Sequence, residues 1–195
     1  MLRCFWSNAA EVIPGQLYRA NHPTPGGLAR LVRRWGIRSV VNLRGEKPCG
    51  STTLSVAAAE RLGLEHRFLP FESRGAPHAE RILRFHALYR DLPPPLLVHC
   101  KSGADRAGLA SGLALLFEGG TAAMAARQLS WRFGHVRQGP AGVLDAFFAL
   151  YAEEAEGRTG FLDWVARVYN ERALRQRFTA GQLGAFLNEW LLHRE

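Results

Sequence analysis

Residues 96–108 read Leu-Leu-Val-His-Cys-Lys-Ser-Gly-Ala-Asp-Arg-Ala-Gly, with Cys100 and Arg106 on either side of five residues that include Gly103. That spacing suits one kind of chemistry. A short loop that turns consecutive backbone N–H groups inward forms an anion-binding nest, and a helix N-terminus behind it adds positive partial charge. The same field favours the thiolate of a cysteine placed beneath it, which makes Cys100 the expected nucleophile. Arg106, planar and permanently charged, can grip two oxygens of a phosphoryl group and hold them more tightly as charge spreads during transfer. Lys101, Ser102, Gly103 and Ala104 would supply the phosphate-binding backbone between them.

The flanking elements must deliver this loop. Leu96 to Val98 read as the end of a buried strand, and from Arg106 onward Ala, Leu and Ser recur at helical spacing. Upstream, Pro14-Gly15 marks a turn before a short strand, and Thr24-Pro25 marks a helix start with a capping hydroxyl and proline at its first position. Leu28, Leu31, Val32 and Trp35 give that helix one apolar face, and Gly36 ends it. Ile37 to Leu43 reads as a central strand, Thr52 to Leu62 as an alanine-rich helix, Leu64 to Leu69 as a third strand and Pro77 to Leu92 as a helix. Three prolines, Pro93 to Pro95, then launch the strand that ends at Cys100. Alternating strands and helices predict parallel pairing, with ligands beyond the carboxyl ends of the strands. Arg44, the 70–77 loop with Arg74, and Cys100 are expected to meet there. After the loop the chain reads as helical, with Thr121 capping a helix to Phe133 and a further helix over Ala141 to Glu154. Trp164, Val168, Phe178, Leu183, Phe186, Trp190 and Leu191 recur through a C-terminal helical segment of about 160–195.

The run His99-Cys100-x5-Arg106, with Gly108 after it, resembles the signature loop of cysteine-dependent protein tyrosine and dual-specificity phosphatases. Pro14-Gly15-Gln16-Leu17-Tyr18-Arg19 is similar to the opening of many dual-specificity-like members. The resemblance implies an α/β fold: a central, mostly parallel sheet of four to five strands flanked by helices, with a helical C-terminal half, all one domain over 1–195. It also implies a metal-independent phosphomonoester hydrolase that works through a phosphocysteine and needs no cofactor.

Two departures matter. The family's acid is usually an aspartate on an upstream mobile loop, whereas here Leu69-Pro70-Phe71-Glu72-Ser73-Arg74-Gly75 holds no aspartate. Asp105 stands directly before Arg106, as an aspartate does in myotubularin-like and Sac-like phosphoinositide phosphatases, and is one candidate donor. Glu72 is another, and a sufficiently acidic leaving group needs none. Ala107 replaces the Ser or Thr that helps the thiolate leave in many relatives, which predicts slow phosphoenzyme breakdown. His99 is expected to orient the loop through hydrogen bonds.

Composition narrows the partners. The 195 residues carry 25 basic and 17 acidic side chains, and Lys47 and Lys101 are the lysines among them. A basic surface suits an anionic partner, but neither zinc-ligand spacing nor aromatic-basic interleaving points to nucleic acid. Lys101, with Arg44 and Arg74 as substrate-binding candidates, favours a substrate bearing more than one phosphate: an inositol phosphate or lipid phosphate, with a phosphorylated protein as the alternative. A weakly active phosphate-binding module is the competing class. Three widely spaced cysteines make no disulfide framework, and no apolar run is long enough to span a membrane. A cytoplasmic protein with at most peripheral membrane contact is expected.

Overall fold

The chain begins its described course with two short strands, β1 (Ala10–Ile13) and β2 (Leu17–Ala20), paired antiparallel across the Pro14-Gly15 turn. The computed structural model describes residues 7–46 and 49–179. Helix α1 (Pro25–Trp35) follows and obeys its sequence signals: Thr24 Oγ1 accepts from the Gly27 N–H at 3.1 Å, and Gly36, at φ +63°, closes the last turn onto the Val32 carbonyl. Then come β3 (Ser39–Asn42), α2 (Gly50–Arg61), β4 (Glu65–Phe68), α3 (Ala79–Asp91) and β5 (Leu96–His99).

The five strands form one sheet in the order β1-β2-β5-β3-β4, parallel throughout except for the β1–β2 pair. Register brings Ala20, His99, Asn42 and Phe68 into line across it, so β2, β5, β3 and β4 all end at one edge. Side chains alternate with the period of two that strands impose. Tyr18, Ala20, Val40 and Leu97 face α1 and α2, packing with Leu28, Leu31 and Ala58. Leu17, Val41, Leu96 and Val98 face the other way, into the larger core under α3 and the C-terminal helices.

Helix α4 (Asp105–Phe117) begins at the end of the signature loop and is buried almost throughout. Around it pack α5 (Ala122–Ala126), α6 (Val143–Glu154) and α7 (Phe161–Arg167). The approach is close because α4 presents glycine at the contact: a Cβ on Gly112 would lie 2.5 Å from Phe148 Cζ and 2.8 Å from the Ala125 carbonyl oxygen. Phe147, Tyr151, Phe161, Trp164 and Tyr169 cluster below, with the Trp164 indole donating to Glu154.

Two sequence expectations change. The strand β1 is not among the expected elements, although Val12 and Ile13 directly precede the Pro14-Gly15 turn. The helix capped by Thr121 stops at Ala126 instead of reaching Phe133, and a single 3₁₀ turn over Trp131–Phe133 replaces its end. The reason is tertiary: the Gln128 carbonyl accepts from the Arg19 guanidinium at 2.7 Å, and the Phe133 carbonyl accepts from Asn8 Nδ2 at 2.7 Å. These bonds take the backbone out of a helical ladder. At the C-terminus, residues 171–179 are helical and Phe178 packs against the core. Leu183, Phe186, Trp190 and Leu191 lie outside the described residues.

Candidate active site

Cys100 follows β5 directly at the carboxyl edge of the sheet, is 2 % exposed, and carries a free thiol. The next residues climb around it. Three consecutive carbonyls of this loop are held from behind: Ser102 O accepts from Asn8 Nδ2 at 2.9 Å, while Gly103 O and Ala104 O accept from Arg19 Nη2 at 2.6 and 3.0 Å. In a planar trans peptide the N–H points opposite to the carbonyl. Anchoring those three oxygens therefore turns the N–H groups of Gly103, Ala104 and Asp105 away from the anchors, and the Ala104 N–H goes to Ser102 Oγ. The Gly103 N–H donates to Cys100 Sγ at 3.2 Å. Gly103 itself has φ +77°, and a Cβ there would sit 2.7 Å from the Asn21 nitrogen and 2.9 Å from the Ala20 carbonyl carbon, so the turn admits only glycine.

Arg19 is not among the expected site residues, yet it organises this loop. Its side chain is fully buried beneath α4, makes further bonds to the Gln128 carbonyl and Oε1, and stacks 3.8 Å from the Phe133 ring centroid. Burial pulls its pKa down to about 10, partly offset by attraction to Cys100. It remains a cation at neutral pH, placed behind the thiol.

Arg106 occupies the first turn of α4, with a buried Nε that has no hydrogen-bond partner among the described residues. A buried donor without an acceptor is costly unless a ligand supplies one. Ser102 is exposed and its Oγ accepts from the Ala104 N–H at 3.3 Å, a bond that shapes the loop. Lys101 is exposed at the rim, and Ala107 is fully buried within α4.

Asp105 opens α4 and is paired: its Oδ1 meets His135 Nδ1 at 2.8 Å, and His135 Nε2 meets Asp145 Oδ2 at 2.7 Å. Burial disfavours a charged ring, but hydrogen bonds and charge from the two carboxylates outweigh it and push the His135 pKa up to about 9. At neutral pH the His135 ring is therefore charged, and it bridges the two aspartates. Glu72, the other acid candidate, is committed elsewhere: its Oε1 contacts Arg81 and lies 3.3 Å from His78, which in turn pairs with Glu171 at 2.6 Å.

The His99 ring is buried and packs edge-on against His22. Burial pushes its pKa well below the usual histidine range, against a smaller upward pull from hydrogen bonding with the Cys100 backbone, so the ring is neutral where β5 passes into the loop. Arg44 lines one groove together with Lys101, whereas Arg74 is exposed and outside that lining. Among the described residues no group of three or more His, Cys, Asp or Glu side chains converges as a metal site, and no helix is long and apolar enough to cross a membrane.

The fold has solved counterparts. The Siw14 catalytic core superposes with a TM-score of 0.58 at 16 % identity, over 78 % of this chain and 89 % of that one. Tk-PTP in its active form gives 0.57 at 19 %, over 77 % and 99 %, and P. aeruginosa TpbA gives 0.54 at 22 %, over 75 % and 91 %. No curated protein matches the chain. Residues 7–137, from the segment that anchors the loop through the signature to the loop bearing His135, match the model described as PTP-SAK: Swiss Army Knife protein, DSP-PTPase phosphatase domain. The chain therefore belongs to this family of dual-specificity-type phosphatases, enzymes that hydrolyse phosphate esters.

Proposed function

We propose that this phosphatase cleaves phosphate monoesters through a phosphocysteine intermediate on Cys100. The observation that carries the reading is the shape of residues 100–106: the Gly103 N–H donates to a buried thiol, and the buried Arg106 Nε has no hydrogen-bond partner among the described residues. A phosphoryl group seated there satisfies those donors. In the first step the Cys100 sulfur bonds to phosphorus, and the electron pair of the breaking P–O bond goes to the leaving oxygen, which takes through Asp105 the proton that the Asp105–His135 pair holds. In the second step water attacks phosphorus, returns a proton through Asp105 to that pair, and the S–P bond returns its electrons to sulfur. Asp105 suits the acid–base role better than Glu72 because it opens the helix directly behind the loop, and His135 fixes its carboxyl. Lys101 and Arg44 support a substrate more anionic than a phosphotyrosine side chain.

Hydrolysis of an aryl phosphate in EDTA tests the reading. The native chain should turn over, and Cys100→Ser should lose turnover while retaining phosphate or vanadate binding. Full residual activity of Cys100→Ser would overturn the mechanism, and binding without any turnover by the native chain would make the protein a phosphate-binding module. Asp105→Asn separates the acid from the nucleophile: alkyl phosphate cleavage should fall about 100-fold or more, with a much smaller loss on an aryl phosphate. Equal losses on both would remove Asp105 as the donor.

A further inference from the structure

A groove of about 720 Å³ opens beside the phosphate loop, formed by the 21–25 segment, one side of α1, Arg44 with the start of α2, and Lys101. It adjoins the candidate site, since Lys101, the residue after Cys100, lines it. Four cations reach it: Arg30, Arg34, Arg44 and Lys101. Arg30 and Arg34 stand one turn apart on α1, the spacing that places two side chains on one helix face. None of the described lining residues is a carboxylate. None of the four cations forms an ion pair among the described residues. Arg44 reaches Ser51 Oγ at 3.4 Å, and Arg34 lies 5.1 Å over the Trp35 ring.

Gathered cations without counter-charge repel one another and create a positive potential that a walled groove concentrates. An anion relieves both. Between the charges the walls are carbon, from Pro23, Pro25, Leu31 and Leu54, which suits a compact body carrying charge at its periphery.

We propose that this groove is a second anion subsite, which takes the far phosphate of a substrate bearing at least two while the near phosphate sits over Cys100. The proposal rests on the phosphomonoesterase reading above and names its substrate class: phosphorylated polyols, whether free or as the headgroup of a lipid. Arg30 and Arg34 are then specificity-determining residues, remote from the bond that breaks. Binding energy gained there raises kcat/KM for a bisphosphate over a simple monophosphate.

The test compares kcat/KM for a soluble inositol bisphosphate, and for phosphatidylcholine vesicles containing a phosphatidylinositol bisphosphate, against an aryl monophosphate. Combining Arg30→Ala with Arg34→Ala should lower the bisphosphate-to-monophosphate ratio about tenfold or more, mainly through KM, as expected for losing charge-assisted hydrogen bonds. Arg33→Ala removes one charge from the same helix outside the groove lining and should change the ratio less than twofold. A fall on the soluble compound alone assigns the free polyol phosphate, and a fall on vesicles alone assigns the headgroup. A ratio unchanged on both, or an equal fall with Arg33→Ala, overturns the subsite. Binding of the same inositol bisphosphate to Cys100→Ser, with and without the two arginine changes, needs no turnover. If the native chain hydrolyses nothing, the phosphatase reading fails while this arm still decides the groove: tenfold weaker binding upholds it and equal binding overturns it.

Discussion

Replacing His135 by asparagine removes the cation from the middle of the Asp105–His135–Asp145 chain. The ring is 4 % exposed and its pKa is pushed up to about 9, from 6.5 for an ordinary histidine. That gap corresponds to about 3 kcal/mol of stabilisation as an upper bound. Asp105 is about a quarter exposed and water screens part of its attraction, so about 2 kcal/mol is the expected share. Because the folded-state pKa lies above the unfolded one, this stability is complete below about pH 6.5 and disappears as the pH rises through about 9. Urea unfolding of the native chain and His135→Asn at pH 6, 7.5 and 10 measures it. His66 and His99, whose burial pulls their pKa values down, titrate alike in both proteins and cancel in the difference. Arg137, 3.9 Å from Asp145, is common to both proteins and cancels too. The stability gap between the two proteins should narrow by about 2 kcal/mol from pH 6 to pH 10. A gap that is the same at both ends would mean that His135 contributes packing and neutral hydrogen bonds alone, and the charged chain would be refuted.

Gly103→Ala should abolish aryl phosphate turnover and cost about 2 kcal/mol or more, because the turn requires φ +77° and the new Cβ meets backbone atoms at 2.7 and 2.9 Å; thermal melts and initial rates read both effects. Arg19→Met leaves the Gly103 and Gln128 carbonyls without their donor and the Ala104 carbonyl with only its Gly108 N–H, and should cost about 2 kcal/mol and weaken vanadate binding, whereas unchanged affinity would show that the loop holds its shape without the anchor. Cys49 is exposed at the start of α2, and hydrogen bonds from Ser51 and Thr52, with Arg44 nearby, pull its pKa down to about 6. Iodoacetamide labelling of Cys49 should therefore rise through a midpoint near pH 6, and a midpoint near that of an ordinary thiol, about 8.5, would contradict those bonds.

What the sequence revealed is what local pattern can carry. Strand and helix periods, the Thr24 and Gly36 ends of α1, and the Cys100–Arg106 spacing all act within a few residues, and each appears in place. The machinery behind the loop does not act locally. Arg19 reaches carbonyls 84 and 85 positions away, and Asn8 spans 94 and 125. A signal for Arg19 existed: it shares the inward face of β2 with Leu17, where the period of two calls for an apolar side chain. Asp145 gave a fainter one, as a lone acid among Val143, Leu144, Phe147 and Phe148, although an acid in a first helical turn has a simpler explanation in the helix dipole. His135 follows a glycine in an irregular loop, and nothing short of the fold brings it against both aspartates. The same long-range bonds explain the shortened helix after Thr121, whose residues 122–133 contain no local breaker.

The anchoring of the 102–104 carbonyls also decides how portable this chemistry is. A peptide spanning 96–108 contains the nucleophile, the arginine and the glycine, yet its carbonyls would face water and its N–H groups would point in many directions. The orientation of the loop is imposed by Arg19 and Asn8, from strands and turns laid down before the motif is made. Grafting the thirteen residues onto another strand–loop–helix scaffold would transplant the letters of the motif without its orientation. The unit that would have to move is the pair of segments, 7–21 and 96–108, docked on each other.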